Sequence, residues 1–302
     1  MSRLGGGSAA LSASASGLSS SSSSPAIDRL KAMIAAQRDE LLRHDAALRF
    51  DADPKSVHKM RVAIRRLRAL LHAARPALDR TWADDLRNEL SWLAEHLAPV
   101  RDADVLIAHF QTELVSLGSD AIHGGALLTV LDQDRRIARD RLLEALGTDR
   151  HRRLLEAVEA AAGEPRIVDA DVTLERMTRR EFRAARKHVR RLGASPSDAE
   201  LHRLRILVKR ARYAAELLDP AKKKVARFLA RATALQTVLG EHQDAVVADA
   251  ALREAAGRAQ KSESWLVAGR LIEREQERRA RTRREFGRAW KRFDKAGRKV
   301  RS

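Results

Sequence analysis

The sequence predicts an all-α protein built from long helices, and three observations carry that expectation. From Ile27 onward Ala, Leu, Arg and Glu dominate, residues that lose little freedom in a helix. No segment shows the apolar–polar alternation of a half-buried strand. Breaks in the helical pattern fall at 51–54, 75–77, 117–125, 147–149, 163–165, 193–196, 219–220 and 261–264. Between them lie segments of about 20 to 40 residues, a length typical of bundles.

Taken in chain order, residues 1–25 are almost wholly Gly, Ser and Ala, with an unbroken serine run from Ser19 to Ser24. Such a segment buries too little apolar surface to offset the cost of ordering, so it is expected to be a disordered tail. A transit peptide is the alternative, but Arg3 is its only basic residue, and such peptides are Arg-rich. Further on, Asp53 before Pro54 and Ser195 before Pro196 each read as an N-cap with proline in the first turn, where its missing N–H costs nothing.

Both of those boundaries introduce a similar helix. One runs from Val57 to Arg68 and the other from Leu201 to Arg212. Basic residues coincide at His58 and His202, Lys59 and Arg203, Arg61 and Arg205, Arg65 and Lys209, Arg66 and Arg210, Arg68 and Arg212. A weaker match follows in the same order, laying Leu93 to Val105 on Leu235 to Val247 and Asp102 on Asp244. The chain therefore reads as a tandem duplication, with a first repeat over 26–165 and a second over 166–302.

On a wheel advancing about 100° per residue, His58, Arg61, Arg65, Arg68 and His72 fall within a stripe roughly 80° wide. Val57, Met60, Ile64, Leu67 and Leu71 occupy the neighbouring face, which goes into a core. His202, Arg205, Lys209 and Arg212 repeat the stripe beside Leu201, Leu204, Val208 and Ala211. A solvated face would interleave glutamates among these cations, because such pairs stabilise a helix. No carboxylate occurs between Lys55 and Leu78, so the stripe points to an anionic partner. Composition agrees: 59 Lys and Arg against 41 Asp and Glu give a formal charge of +18, a field that attracts anions.

These residues resemble a known family, the CHAD domain, or conserved histidine α-helical domain. The resemblance covers about Ile27 to Phe293 and rests on the His58–Arg68 segment, the His202–Glu216 segment with Lys209-Arg210-Ala211-Arg212-Tyr213, and the Asp102 and Asp244 regions. It implies two four-helix bundles in tandem and a basic groove or channel that binds inorganic polyphosphate, often at polyphosphate granules. It further implies that His58, Arg61, Arg65 and Arg68 line the site from one repeat and His202, Arg205, Lys209 and Arg212 from the other. Arg66 and Arg210 point about 100° away from the histidines and are secondary candidates. Arg179 and Arg183, within the basic series Arg176, Arg179, Arg183, Lys187 and Arg190, are further ones. Asp102 and Asp244 either orient arginines of the adjoining helix or serve as caps or internal salt bridges.

The chemistry suits that ligand. A polyphosphate carries about one negative charge per phosphate and no bases to read, so recognition is electrostatic and geometric. Guanidinium groups fork onto two oxygens, whereas Lys209 supplies a compact charge. Arginines near the two histidines disfavour the imidazolium and a bound phosphate restores it, predicting tighter binding below about pH 6.5.

Other classes fit less well. The sequence has no phosphate loop, no nucleophile elbow and no His-Glu-x-x-His spacing, so no enzyme activity and no cofactor is expected. Within Glu273-Arg274-Glu275-Gln276-Glu277, alternate residues of a helix diverge by about 200° and cannot share metals. Arg274, Arg278 and Arg281 among those glutamates read as a charge-paired face. A nucleic-acid binder shares the charge, but aromatics are only 4%, and Trp82, Trp92, Trp265, Trp290, Tyr213 and Phe286 sit at spacings expected of core. A histidine-based metal chelator is disfavoured by the neighbouring arginines. With no cysteine and no apolar stretch of membrane-spanning length, a cytoplasmic protein is expected, and the resemblance implies association with polyphosphate granules.

Overall fold

A computed structural model describes residues 25–50, 54–169, 173–259 and 261–300. Most of the Ser-rich segment, and Asp53 as an N-cap, lie outside the described residues. Nine α-helices are described: α1 (Pro25–Phe50), α2 (Pro54–Ala74), α3 (Arg80–Val115), α4 (Gly125–Leu146), α5 (Asp149–Gly163), α6 (Leu174–Val189), α7 (Asp198–Glu216), α8 (Lys223–Ala259) and α9 (Ser262–Lys299). A 3-10 segment, Gly118–Gly124, joins α3 to α4. The helix ends fall at the breaks expected from the sequence, and among the described residues the only β-pairing is an isolated antiparallel bridge between Leu78 and Ile167.

Local chemistry sets these ends. Asp79 accepts a hydrogen bond from the Trp82 N–H at 2.9 Å, and Thr148 and Thr173 cap α5 and α6 through the N–H groups of His151 and Arg176. At α7 the expected cap is corrected. Ser197, not Ser195, is the N-cap, in a reciprocal capping box with Glu200, because only the Ser197–Glu200 spacing satisfies two free backbone donors at once. Pro196 stays outside the helix, and its carbonyl accepts a hydrogen bond from Arg283.

The apolar seams then dictate packing. Leu30, Ile34, Leu41 and Leu48 of α1, Met60, Ile64, Leu67 and Leu71 of α2, and Leu86, Leu90, Leu93 and Leu97 of α3 form one cluster, closed by α5 and the end of α4. Leu201, Leu204, Val208 and Ala211 of α7 join Phe182, Phe228 and Phe293 of α6, α8 and α9 in another. The three phenyl centroids lie 5.2–5.9 Å apart. In a third cluster, Phe110 and Leu114 of α3 and Leu127 and Leu131 of α4 meet Leu252 of α8 and Val267 and Leu271 of α9. Each half thus contributes the far ends of its long helices to a common core.

Of the aromatics expected inside, Tyr213 is buried. Trp82, Trp92, Phe286 and Trp290 are half-buried, and Trp265 is 49% exposed. Periodicity gives the face on which Trp265 lies but not its exposure, which is why it was misplaced. No helix among the described residues is long and apolar enough to cross a membrane.

Candidate anion-binding site

The two motif helices pack against each other, α2 on α7. That contact brings part of each basic stripe into one electrostatic field. The charges of Arg61, Arg65 and Arg205 all act on Lys209, and Arg61 and Arg65 act on Arg205. Behind them stand Asp102 in the middle of α3 and Asp244 in the middle of α8, close enough to disfavour each other's charge at Asp102. Neither is at a helix end, so the capping alternative falls. Asp102 Oδ1 lies 3.3 Å from Arg61 Nη2, and Asp244 acts on Arg205 and Lys209. Two carboxylates thus face four cations.

The deficit appears in individual atoms. The Nε atoms of Arg65 and Arg205 are buried without a hydrogen-bond partner. Among the described residues, neither of these arginines nor Lys209 forms a salt bridge. Burial, then the Arg205, Arg65 and Arg61 guanidiniums, push the Lys209 ammonium down to about 7. Burial is the larger cause, because taking a cation from water disfavours its charged form. Gly240 of α8 lies against the Arg205 guanidinium, whose Nε would be 3.9 Å, an ordinary van der Waals distance, from a Cβ placed there.

The remaining expected residues surround this centre unevenly. His58 is exposed, and partial burial followed by the Arg101 and Arg65 charges lowers its pKa. His202 is half-buried, and its Nδ1 lies 2.8 Å from Gln243 Oε1. The equivalent histidines therefore meet different groups, Arg101 on one side and Gln243 on the other. Arg68 lies in the fields of Arg87, Glu95 and Arg210, and its pKa is lowered chiefly by burial. Arg212 is paired with Glu216 at 2.9 Å and stacks on Tyr213 at 4.6 Å. Arg66 is exposed beside a small cleft lined by Met33, Leu70, Tyr213 and Glu216. His72, at the end of the stripe, lies 3.4 Å from the buried Glu181 of α6. Arg179 is half-buried with an unpartnered Nε, and Arg183 is exposed.

Arg101, whose charge acts on His58, and Arg87, which acts on Arg68 while paired with Asp84 at 2.8 Å, add to the stripe without belonging to it. Both lie on α3 rather than on a motif helix, and Arg101 has no basic counterpart at Gln243. A signal for Arg101 was its place next to Asp102.

Two clefts elsewhere hold ion pairs. A cleft of about 850 Å³ is lined by Trp82, Glu89, Arg150 and Arg166. There Arg150 is paired with Glu89 at 2.7 Å and lies over Trp92, so cleft size does not locate the site; unpaired charge does. Arg278 pairs with Glu275 of its own helix, whereas Arg274 and Arg281 pair with Glu113 of α3 and Glu241 of α8, so this face is paired across helices and not only within α9 as expected. Among the described residues no group of three His, Asp or Glu side chains could hold a metal ion.

Comparison with known proteins bears on this arrangement. The CHAD domain family model matches residues 32–253. An uncharacterized protein of Mycobacterium tuberculosis is 32% identical over 292 residues, which are 92% of this chain and 55% of that protein. The chain spans about half the length of the curated relatives it matches. Among solved structures, PptA from Streptomyces chartreusis is similar with a TM-score of 0.75 at 26% identity, covering 89% of this chain and all of that one. The CHAD domain from the plant Ricinus communis gives a TM-score of 0.68 at 25% identity, covering 88% and 92%.

Proposed function

The chain belongs to the CHAD domain family, and from that membership and the unpaired cations where α2 meets α7 we propose that it binds inorganic polyphosphate, without catalysing a reaction on it. The observation that carries this reading is the cluster Arg61, Arg65, Arg205 and Lys209, in which partly buried positive charge exceeds carboxylate. Buried cations without partners are costly. A ligand bearing one negative charge at each short interval relieves several of them at once. Arg65 and Arg205 offer buried N–H donors with no acceptor, and phosphate oxygens accept such forked bonds. Asp102, by holding Arg61, fixes one guanidinium before ligand arrives.

His58 and Arg101 extend the site along α2 and α3, while Arg68 with Arg87 and Arg210 extends it in a second direction. A flexible polyanion can span both extensions, whereas one orthophosphate occupies only the centre. Association with polyphosphate granules follows from the same affinity. Calorimetric titration with polyphosphates of graded length tests the reading. Affinity should rise with chain length to a plateau and should survive excess single-stranded oligonucleotide. Equal affinity for all lengths, or displacement by oligonucleotide at matched charge, would refute it; the latter would establish a nucleic-acid binder instead.

A further inference from the structure

We propose that the outer face shared by α6 and α9 is a second anion-binding surface, separate from the α2–α7 centre, and that its partner is the phosphate backbone of a nucleic-acid duplex. The inference does not depend on what the inner site holds.

Charge is distributed unevenly along α9. From Ser262 to Ala280 four Glu balance four Arg, whereas from Arg281 to Lys299 nine Lys and Arg meet only Glu285 and Asp294. Phe286, Trp290 and Phe293 turn into the core of this half, and Arg288, Lys291 and Lys295 fall within about 60° on the opposite side of the helix. On α6, Arg183, Lys187 and Arg190 occupy an arc of about 60° turned away from the buried Phe182 and Ala185. All six cations are exposed, and none forms an ion pair among the described residues.

Two contacts join these rows into one surface. The Phe182 ring abuts Gly297, and Arg186 Nε lies 2.7 Å from Asp294 Oδ1; a higher number on α6 meets a lower one on α9, so the helices run antiparallel. In that register Arg183 stands level with Lys295, Lys187 with Lys291 and Arg190 with Arg288, in rungs about 5 Å apart. Asp294, the carboxylate between the helices, is taken up by Arg186 and by Arg298 at 2.6 Å. Glu285 falls on the flank of α9 away from α6. A face kept only for solubility would alternate signs, because like charges one turn apart destabilise a helix.

The arrangement selects among polyanions. Packed helix axes lie about 8–10 Å apart, so the face carries two parallel rows of charge. A duplex presents two stiff rows of phosphates bordering grooves of about 6 and 12 Å, and both rows can be met at once. A basic helix that lies on a membrane sets apolar side chains beside its cations, but the large apolar side chains that are exposed lie elsewhere on the protein. Single strands are held by stacking on exposed aromatics, whereas Phe286 and Trp290 are half-buried. Contacts to phosphate alone carry no sequence information, so binding is independent of sequence.

Anisotropy titration of the full chain with a short labelled duplex of arbitrary sequence tests the proposal. Replacing two cations together, Lys291→Gln with Lys295→Gln, should weaken duplex binding about ten-fold or more and lower the slope of log affinity against log salt by about two. The same pair should leave polyphosphate affinity within about two-fold, since distant sites act independently. Arg139→Gln with Arg141→Gln, exposed on α4, removes equal charge from the other half and should change duplex affinity less than about two-fold. Equal losses from the α4 and α9 pairs would overturn the inference, because net charge alone would then explain binding. Binding to phosphatidylglycerol vesicles but not to duplex, abolished by the α9 pair, would overturn it in favour of a membrane. Duplex binding that responds as expected in a protein with no affinity for polyphosphate would uphold it while overturning the polyphosphate reading.

Discussion

If the chain binds polyphosphate as proposed, Lys209 makes that binding depend on pH in a calculable way. In the free protein its ammonium is held at about 7, and a bound polyanion favours the charged form. Binding therefore takes up a proton above pH 7, and affinity falls as pH rises. At pH 6 about nine in ten free molecules already carry the charge; at pH 8 about one in eleven does. If the complex stays protonated, affinity drops about ten-fold between these values, or about 1.4 kcal/mol. The assay is titration with long chains, whose few titrating ends contribute little, at constant ionic strength. Lys209→Arg should remove this drop, because a guanidinium stays charged throughout. His58, whose pKa is pushed below 6.5, contributes the remainder at the acid end, as its imidazolium is lost on raising pH. Undiminished pH dependence in Lys209→Arg, or equal affinity of the unaltered protein at pH 6 and pH 8, would refute the reasoning.

Other consequences can be checked directly. Arg65→Ala or Arg205→Ala should each weaken binding by about 1.5–3 kcal/mol and lower the slope of log affinity against log salt by about 0.7, measured by titration across salt concentrations. Gly297→Ala would drive a methyl into the Phe182 ring, and denaturant unfolding should show a loss of about 1–3 kcal/mol. Asp198 accepts hydrogen bonds from His242, Arg279 and Arg283, so Asp198→Asn should lower stability by about 2 kcal/mol in the same assay. These bonds hold Asp198 below its ordinary carboxylate value against opposing burial. Their stabilisation is present above about pH 4 and lost as pH falls through the lowered value; the variant should show a flatter acid limb.

Much of this was legible in the residues themselves. Helix ends followed from Gly and Pro because those effects act within a few residues of chain, while the cap of α7 fell at Ser197, two residues beyond the expected Ser195. The stripe of α2 and its counterpart on α7 were visible because a helix has a fixed period. What periodicity could not give was which neighbour each cation meets. Lys209 looked like one more positive charge in the sequence; its perturbed amine is a product of burial and of arginines from another helix. His58 and His202 looked equivalent, yet Arg101 and Gln243 make their surroundings differ. Arg212, indistinguishable from Arg68 by position in the repeat, is tied to Glu216. Trp265 failed for a related reason, since a helix period gives a face but does not say whether anything covers it.

The cluster built by the far ends of α3, α4, α8 and α9 constrains how a ligand can be received. His109 lies 2.5 Å from Glu275 across it, and Arg258 joins Asp134 at 2.6 Å, so prising the halves apart would bare an oily seam and sever these ties. On the proposed reading, this shared core makes the separation between the cations of α2 and those of α7 the gauge that a ligand meets. A floppy chain must adjust its own torsions to that gauge, and a stiff duplex of unsuitable width has no means of being accommodated.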